Sequence, residues 1–459
     1  MRTHMSSGRK ASRTVGAFVG ACVALAACSS LLDVRNPNNV PEDALNNPAA
    51  AAAIASGVLA STARMLTGIT TPYAVATDEL DWIGSRDAWL ELDRGIIANH
   101  FNEFSDQAFP FAGEARYLGD DAIQRLTFFD TSVTILTKPA RNHRANAYLY
   151  TAIVYVSIAD MYDDYAFSSK QTPAAPIGRA NMGSMYDTAI RYLDSALVIA
   201  NAGTGATFTS LRYPITAYRA RVKHAKAVWQ SITPKLAAGA ARTVTLINDA
   251  GANADAAAAI ALGTADQSYT LANSVGSAAG INVWFEVNGR NEHRISLKYC
   301  PTVAAPTVGG LIDPVTGALD IRAAALCAAF RSFGTQAGTF TLTSTRELRL
   351  ILAEAALAAS NIPEFTNQIN AVRGLDAGRT AWSGTPAAQV MLEHERQAQL
   401  WLMRRRLADM HRFNLKDAPI WTTDANFESA VNVNGLLFPI PQVERLGNPC
   451  VNDPAAPGC

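Results

Sequence analysis

The chain lacks most of the patterns that catalysis and metal binding leave in a sequence. Its six cysteines include no CxxC pair, and its seven histidines are scattered, so the spacings of a zinc site are missing. No HExxH, GxSxG or phosphate-loop pattern occurs in it, which removes the metalloprotease, hydrolase-elbow and P-loop classes. Adjacent acids do occur at Asp78-Glu79, Asp81 and Asp163-Asp164. A glycosidase needs two carboxylates facing one another across a cleft, whereas neighbouring acids usually mark a solvated face. The expectation is a protein without enzymatic activity. Charge of one sign is also missing: 39 basic side chains meet 39 acidic ones. With no basic surface to neutralise phosphates, nucleic acid is not an expected partner.

Beyond the N-terminus, no further stretch reads as long and apolar enough to cross a bilayer. At the N-terminus itself, Arg2, Arg9, Lys10 and Arg13 precede a short apolar run over 15–27. A basic region, a short apolar region and small residues before a cut make a secretory signal. Leu25-Ala26-Ala27-Cys28 resembles a lipobox, in which cleavage precedes the cysteine and its thiol is acylated. Residues 1–27 are thus expected as signal peptide, 28–42 as an acylated N-terminus and tether, and 43–459 as the folded domain. Several acyl chains on Cys28 suffice for a firm anchor. Removing the signal takes four basic charges with it and leaves the remainder mildly acidic. The four cysteines downstream of Cys28 form an even set in an exported chain, which implies disulfides. Proximity in sequence pairs Cys300 with Cys327 and Cys450 with Cys459.

Helical periodicity dominates the rest. Residues 144–165 set Tyr148, Ala152, Tyr155, Ala159 and Tyr162 on one face, and the tyrosine stripe follows the period closely enough to be core. Residues 184–200 and 213–229 read as further amphipathic helices, the latter with small residues suited to close crossings. Ser344 stands three residues before Glu347, a capping-box pattern, and opens a helix that ends at Asn361-Ile362-Pro363. A short partner follows over 365–373. The last long helix is expected over 390–413, with Leu400, Met403, Leu407 and Met410 at helical spacing. The fold class is therefore α: tetratricopeptide-like helical hairpins forming a scaffold. Apart from the 213–229 helix, residues 201–343 read as a loop-rich insertion, where binding residues commonly sit.

Three segments together resemble the SusD/RagB family of outer-membrane nutrient-uptake lipoproteins. The first is Leu31-Leu32-Asp33-Val34 with Asn36-Pro37-Asn38, just behind Cys28. The second is ERQAQLWLMRRRLADMHR over 395–412. Its family pattern runs Glu-Arg, Glu-Leu, Glu-Gly, Arg, Asp-Leu, Arg; Glu395, Arg396, Leu400, Arg406, Asp409 and Arg412 match, and Gln399, Met403 and Arg404 depart. The third is LLFPIPQVERLGNP over 436–449, matching through Pro439, Ile440, Pro441, Glu444 and Asn448-Pro449. A helix pair with PIGR over 176–179 between its arms is also similar. The matched charges are expected to hold their helix against the terminal prolines, as scaffold. The resemblance implies a lid over a TonB-dependent, SusC-like barrel that captures a nutrient, often an oligosaccharide, at the cell surface of the outer membrane. It implies no required cofactor; calcium occurs in some such proteins, and no residues here specify a metal site. A lipid-anchored helical-repeat adaptor for another envelope protein is the alternative, but it leaves the FPIPQVE…NP ending unexplained.

Sugar capture needs flat aromatic faces and polar side chains. The stretch 71–94 supplies both, through Tyr73, Asp81, Trp82, Arg86 and Trp89, with Gly84 permitting a turn. The competing reading puts Trp82 and Trp89, seven residues apart, on the buried face of one helix. A second candidate is Trp284, in INVWFEVNGRNEH over 281–293, where alternating Val283, Phe285 and Val287 before Asn288-Gly289 predict a β-hairpin. Trp284 then either faces a ligand or covers the core from an edge strand. Family ligand residues vary, so none is carried over.

Overall fold

Helix after helix packs on its neighbour in sequence. In the computed structural model, which describes residues 42–169, 172–232, 244–272, 282–304, 306, 308–334, 338–413, 437–456 and 458–459, residues 51–459 form one unit and residues 1–50 another. The signal peptide, Cys28 and the tether up to residue 41 lie outside the described residues. Only the turn Glu42–Leu45 and the short Pro48–Ala50 represent the first unit.

Helix α1, Ala51–Val75, opens the second unit. The stretch Pro48–Val75 is long and apolar enough to cross a membrane by length and composition, which corrects the expectation that only the N-terminal run is. Here it is a core helix: Met65, Leu66, Ile69 and Tyr73 are at most 1% exposed. Its threonines stay in the core because their hydroxyls return hydrogen bonds to the preceding turn, Thr62 to Val58, Thr67 to Ala63 and Thr70 to Leu66. After a short helix α2, Asp87–Asp93, comes α3, Glu103–Thr131, whose Asn102 cap accepts from the Phe104 and Ser105 amides.

The hairpin array follows as α4 (Asn142–Met161), α5 (Gly183–Ala202) and α6 (Ala206–Ile232). The fold class is α, as the helical periods require. Helix α4 crosses α3 so closely at Gly119 that a Cβ there would meet the Thr151 hydroxyl at 2.5 Å. Tyr155 and Tyr162 are buried and Tyr148 is partly buried. Asp120 of α3 accepts from the hydroxyls of both Tyr155 and Tyr192, at 2.8 and 3.0 Å.

The middle of the chain is less loop-rich than expected. Residues Ala250–Leu262 form α7 and Ile321–Ser332 form α8. Alanine carries the highest helix propensity of any residue without marking a face, and Asp249 and Asp320 cap the two helices through the Ala252 and Ala323 amides. Two small antiparallel sheets join distant parts of the chain: β1 (Leu80–Trp82) with β3 (His293–Ile295), and β2 (Ser268–Ala272) with β4 (Thr339–Ser344). The hairpin expected around Trp284 is absent. The Asn282 side chain accepts from the Trp284 amide at 3.0 Å, nucleating a turn that runs into the π-helical Phe285–Gly289, and β3 pairs with β1 instead.

Helices α9 (Thr345–Ala358) and α10 (Ile362–Arg373) form the next hairpin, and Ser344 caps α9 through the Glu347 amide. The single helix expected over 390–413 is broken into α11 (Ala388–Gln399) and α12 (Arg406–Arg412). Leu402 and Arg404 between them take φ of 58° and 60°. Three tertiary bonds override the helical period there: the Leu402 amide to Glu79, Arg405 to Glu347, and Arg406 to Asp78. The matched charges of this signature pair with one another and with Asp78, Glu354, Arg373 and Arg379, not with the terminal prolines: Arg396 and Arg412 clasp Asp409, Arg412 also holds Glu354, and Glu395 takes Arg373 and Arg379. The terminal segment docks by its backbone. Phe438 bonds to Met161 and Asp163 across the end of α4, and Gln442, which opens α13 (Gln442–Gly447), bonds to the His100 carbonyl. Cys300 is bonded to Cys327, and Cys450 to Cys459.

Candidate functional site

The stretch between α1 and α2 splits into a buried half and a surface half. In the buried half, Tyr73 is 1% exposed and its hydroxyl accepts from the Leu407 amide at 3.1 Å. Asp78 meets Arg406 through two bonds of 2.6 Å. Glu79 lies beneath, so these adjacent acids are core residues and not the solvated face expected of them. The surface half begins at β1. Asp81 accepts from the Arg294 Nε at 3.0 Å and the Leu297 amide at 3.2 Å. The Trp82 amide donates to Asp93 at 2.9 Å, and its indole Nε1 donates to Glu292 Oε1 at 3.1 Å.

Glu292 organises this surface. Its Oε1 also accepts the Ser85 and Arg86 amides at 3.0 and 2.8 Å. The loop closes on that carboxylate at Gly84, where a Cβ would sit 2.3 Å from its carboxyl carbon. Burial raises the Glu292 carboxyl, but the loop amides and the indole N–H outweigh it and hold the group below its usual range. Trp82 is therefore half-buried and clamped at its nitrogen, beside Ile83 at 48% exposure. Arg86 lies 4.2 Å above the Phe104 ring and pairs with Glu103 at 3.0 Å. Arg290 and Arg294, at 41% and 40% side-chain exposure, complete the rim. Side chains alternate along β1, so Trp82 packs partly against the core opposite His293, while Asp81 and Arg294 meet on the other face. A half-buried indole with the Arg86 and Arg290 segments gathered at its Glu292 clamp suits a ring with C–H faces and hydroxyl edges.

Three other candidates do not reach this surface. Trp89 is fully buried, stacked on Phe104 at 3.4 Å and edge-on to His293 at 4.7 Å. Tyr73 lies in the core. Trp284 is 3% exposed and packs among Phe330 and Phe340. Trp82 and Trp89 separate because the first sits in a strand and the second in a helix, so their spacing of seven carries no common face.

Over most of its length the chain is similar in structure to SusD-type proteins. A SusD superfamily protein from Bacteroides vulgatus aligns with a TM-score of 0.57 at 14% identity, covering 89% of this chain and 98% of that one. A SusD-like protein from Bacteroides fragilis gives 0.58 at 10%, covering 90% and 98%. One from Bacteroides thetaiotaomicron gives 0.56 at 12%, covering 86% and 98%. The fold is SusD-like. No family model matches the chain, and no curated protein matches it.

On this SusD-like fold, the partners of Trp82 come from the 281–293 segment that drew notice for its tryptophan. Sequence alone missed Glu292 and Arg294 because only the β1–β3 register brings them to Trp82 and Asp81. Beneath them, burial pushes the Glu286 carboxyl up to about 7, and its oxygens receive no hydrogen bond. Burial likewise drives His293 down to about 3, so its ring is neutral. Among the described residues, Asp313, Asp320 and His394 bring ligand atoms within 4.8 Å of one another. Arg373 and Arg379 already hold the two carboxylates at 2.7 and 2.6 Å, so the cluster reads as an ion-pair network. A separate open cleft of about 480 Å³ lies between α3, residues 165–169 and α13, lined by Arg116, Tyr117, Ser168 and Glu444 among others.

Proposed function

We propose that the protein is a lipid-anchored SusD-type binding protein of the outer membrane, with Cys28 as the acylated anchor. It captures an oligosaccharide, or another large nutrient, and delivers it to a TonB-dependent, SusC-like barrel without chemical change. The observation that carries this reading is the Trp82 indole, clamped by Glu292 at the surface of a SusD-like fold. The sequence segments behind Cys28, over 395–412 and over 436–449 support it independently. Arg86 and Arg290, beside the Glu292 clamp, would supply hydrogen bonds to hydroxyls next to the indole.

Two experiments test the proposal. Mild-detergent pull-down of the tagged, lipidated protein from native outer membranes should yield a large barrel in near-equal amount. Recovery of envelope assembly factors in its place would favour the adaptor. For the ligand, affinity electrophoresis through gels containing soluble glycans should show retardation that Trp82→Ala weakens by about tenfold, the scale of one aromatic contact. Loss of retardation in Tyr117→Ala, with Trp82→Ala unaffected, would move the ligand to the α3–α13 cleft.

A further inference from the structure

Behind the α11–α12 break lies a small, partly open cavity of about 40 Å³, lined by Tyr73, Arg221, Arg396 and Arg404 together with three carboxylates. That volume is room for a few water-sized groups. The carboxylates are already engaged. Asp160 takes Tyr186 at 2.9 Å and also Arg221. Glu347 takes Arg405 at 2.6 and 3.2 Å. Asp409 takes Arg396 at 2.8 Å and Arg412 at 2.9 Å.

Donors remain over. Arg404 is 5% exposed, and among the described residues its one side-chain hydrogen bond is to the Thr70 hydroxyl, at 3.2 Å. Among the described residues no carboxylate reaches ion-pair distance of it. Nε and Nη1 of Arg221 and Nη1 of Arg396 are buried without a hydrogen bond, the last of them 3.7 Å from Glu354 Oε2. The Tyr73 hydroxyl accepts from Leu407 and keeps its own proton to give. A buried cation without a partner is costly, and Arg404 stands in a left-handed backbone conformation that suits glycine better. Burial and the neighbouring Arg405 together pull its pKa down to about 10.

We propose that this cavity is a binding site for a compact inorganic oxyanion, phosphate or sulfate in size and charge, with Arg404 as its principal counter-charge and Arg221, Arg396 and Tyr73 as further donors. Guanidinium forks match paired oxygens, and a volume of about 40 Å³ is too small for a saccharide. The site is separate from the Trp82 surface, and neither reading depends on the other.

The test is the melting temperature of the mature protein as phosphate or sulfate is titrated, with chloride at matched ionic strength. The wild type should gain stability with the logarithm of anion concentration. Arg404→Gly, which keeps a backbone suited to that φ, should lose this gain and retain only the general salting effect. Equal gains in the two proteins, or equal gains with chloride, would overturn the site. Should Arg404→Gly not fold, wild-type crystals soaked in selenate decide the matter. A selenium anomalous peak within hydrogen-bond reach of the Arg404 guanidinium supports the site, and a cavity without one refutes it.

Discussion

Asp78 and Glu79 are adjacent and both buried, yet they ionise differently. Burial raises the Asp78 carboxyl, but Arg406 outweighs it and holds the group below its usual range. Glu79, 1% exposed, accepts from the Leu402 amide at 2.7 Å and among the described residues has no arginine at ion-pair distance, so burial outweighs the more distant Arg406 and Arg404 and pushes it up to about 8. The native state then keeps a proton that the unfolded chain gives up above its ordinary pKa of 4.5. Stability contributed by that proton is full in acid, falls as pH rises from 4.5 towards 8, and is flat beyond. Glu79→Gln, which can still accept from Leu402, should remove this slope. It should exceed the wild type by on the order of 2 kcal/mol at the alkaline end, read as a smaller drop in melting temperature between acid and alkaline buffers. Nothing in the local sequence separates the two acids; their difference comes from Arg406, more than three hundred residues away. By the same token, Trp82 was legible as a candidate from its composition alone, whereas the burial of Trp89 needed the break between β1 and α2.

At the scale of elements, the periodic helices were legible and the interruptions were not. Tyr155 and Tyr162 were read as core and are buried, although α4 is buried on all sides from Thr151 to Ala159 and Tyr162 stands at its end. The Ser344–Glu347 pair marked the start of α9. That cap satisfies the Glu347 amide at 3.2 Å, so Ser344→Ala should cost about 1 kcal/mol, measurable by chemical denaturation with an unchanged m-value. Helices α7 and α8 were missed because alanine-rich segments bury a face without advertising one. The break between α11 and α12 was missed because Leu400, Met403, Leu407 and Met410 keep the helical period straight through it. What ends the helix is acceptors elsewhere, Glu79 and Glu347, capturing donors that a continuous helix would hold away from them.

For the whole molecule, identity of 10–14% with its structural relatives leaves the fold intact because hairpin packing tolerates exchange among apolar residues of similar volume. Regions with fewer helices rely on other ties. Cys300–Cys327 fastens the segment after β3 to α8 across a separation of 27 residues. Replacing both cysteines by serine should cost about 3 kcal/mol, seen as a lower melting temperature that reductant lowers less than it lowers the wild type's, since only Cys450–Cys459 remains to be reduced. The β1–β3 pairing has a further consequence, in time rather than in energy. Asp81 meets Arg294 across 213 residues of chain, and Met161 meets Phe438 near the far end. During synthesis the hairpins α4 to α6 can close on themselves as they emerge, since their contacts are local. The Trp82 loop must wait for Glu292, and the end of α4 must wait for the closing segment. The candidate surface around Trp82 is thus among the last parts of the protein to exist, and a chain cut short anywhere before residue 292 never acquires it.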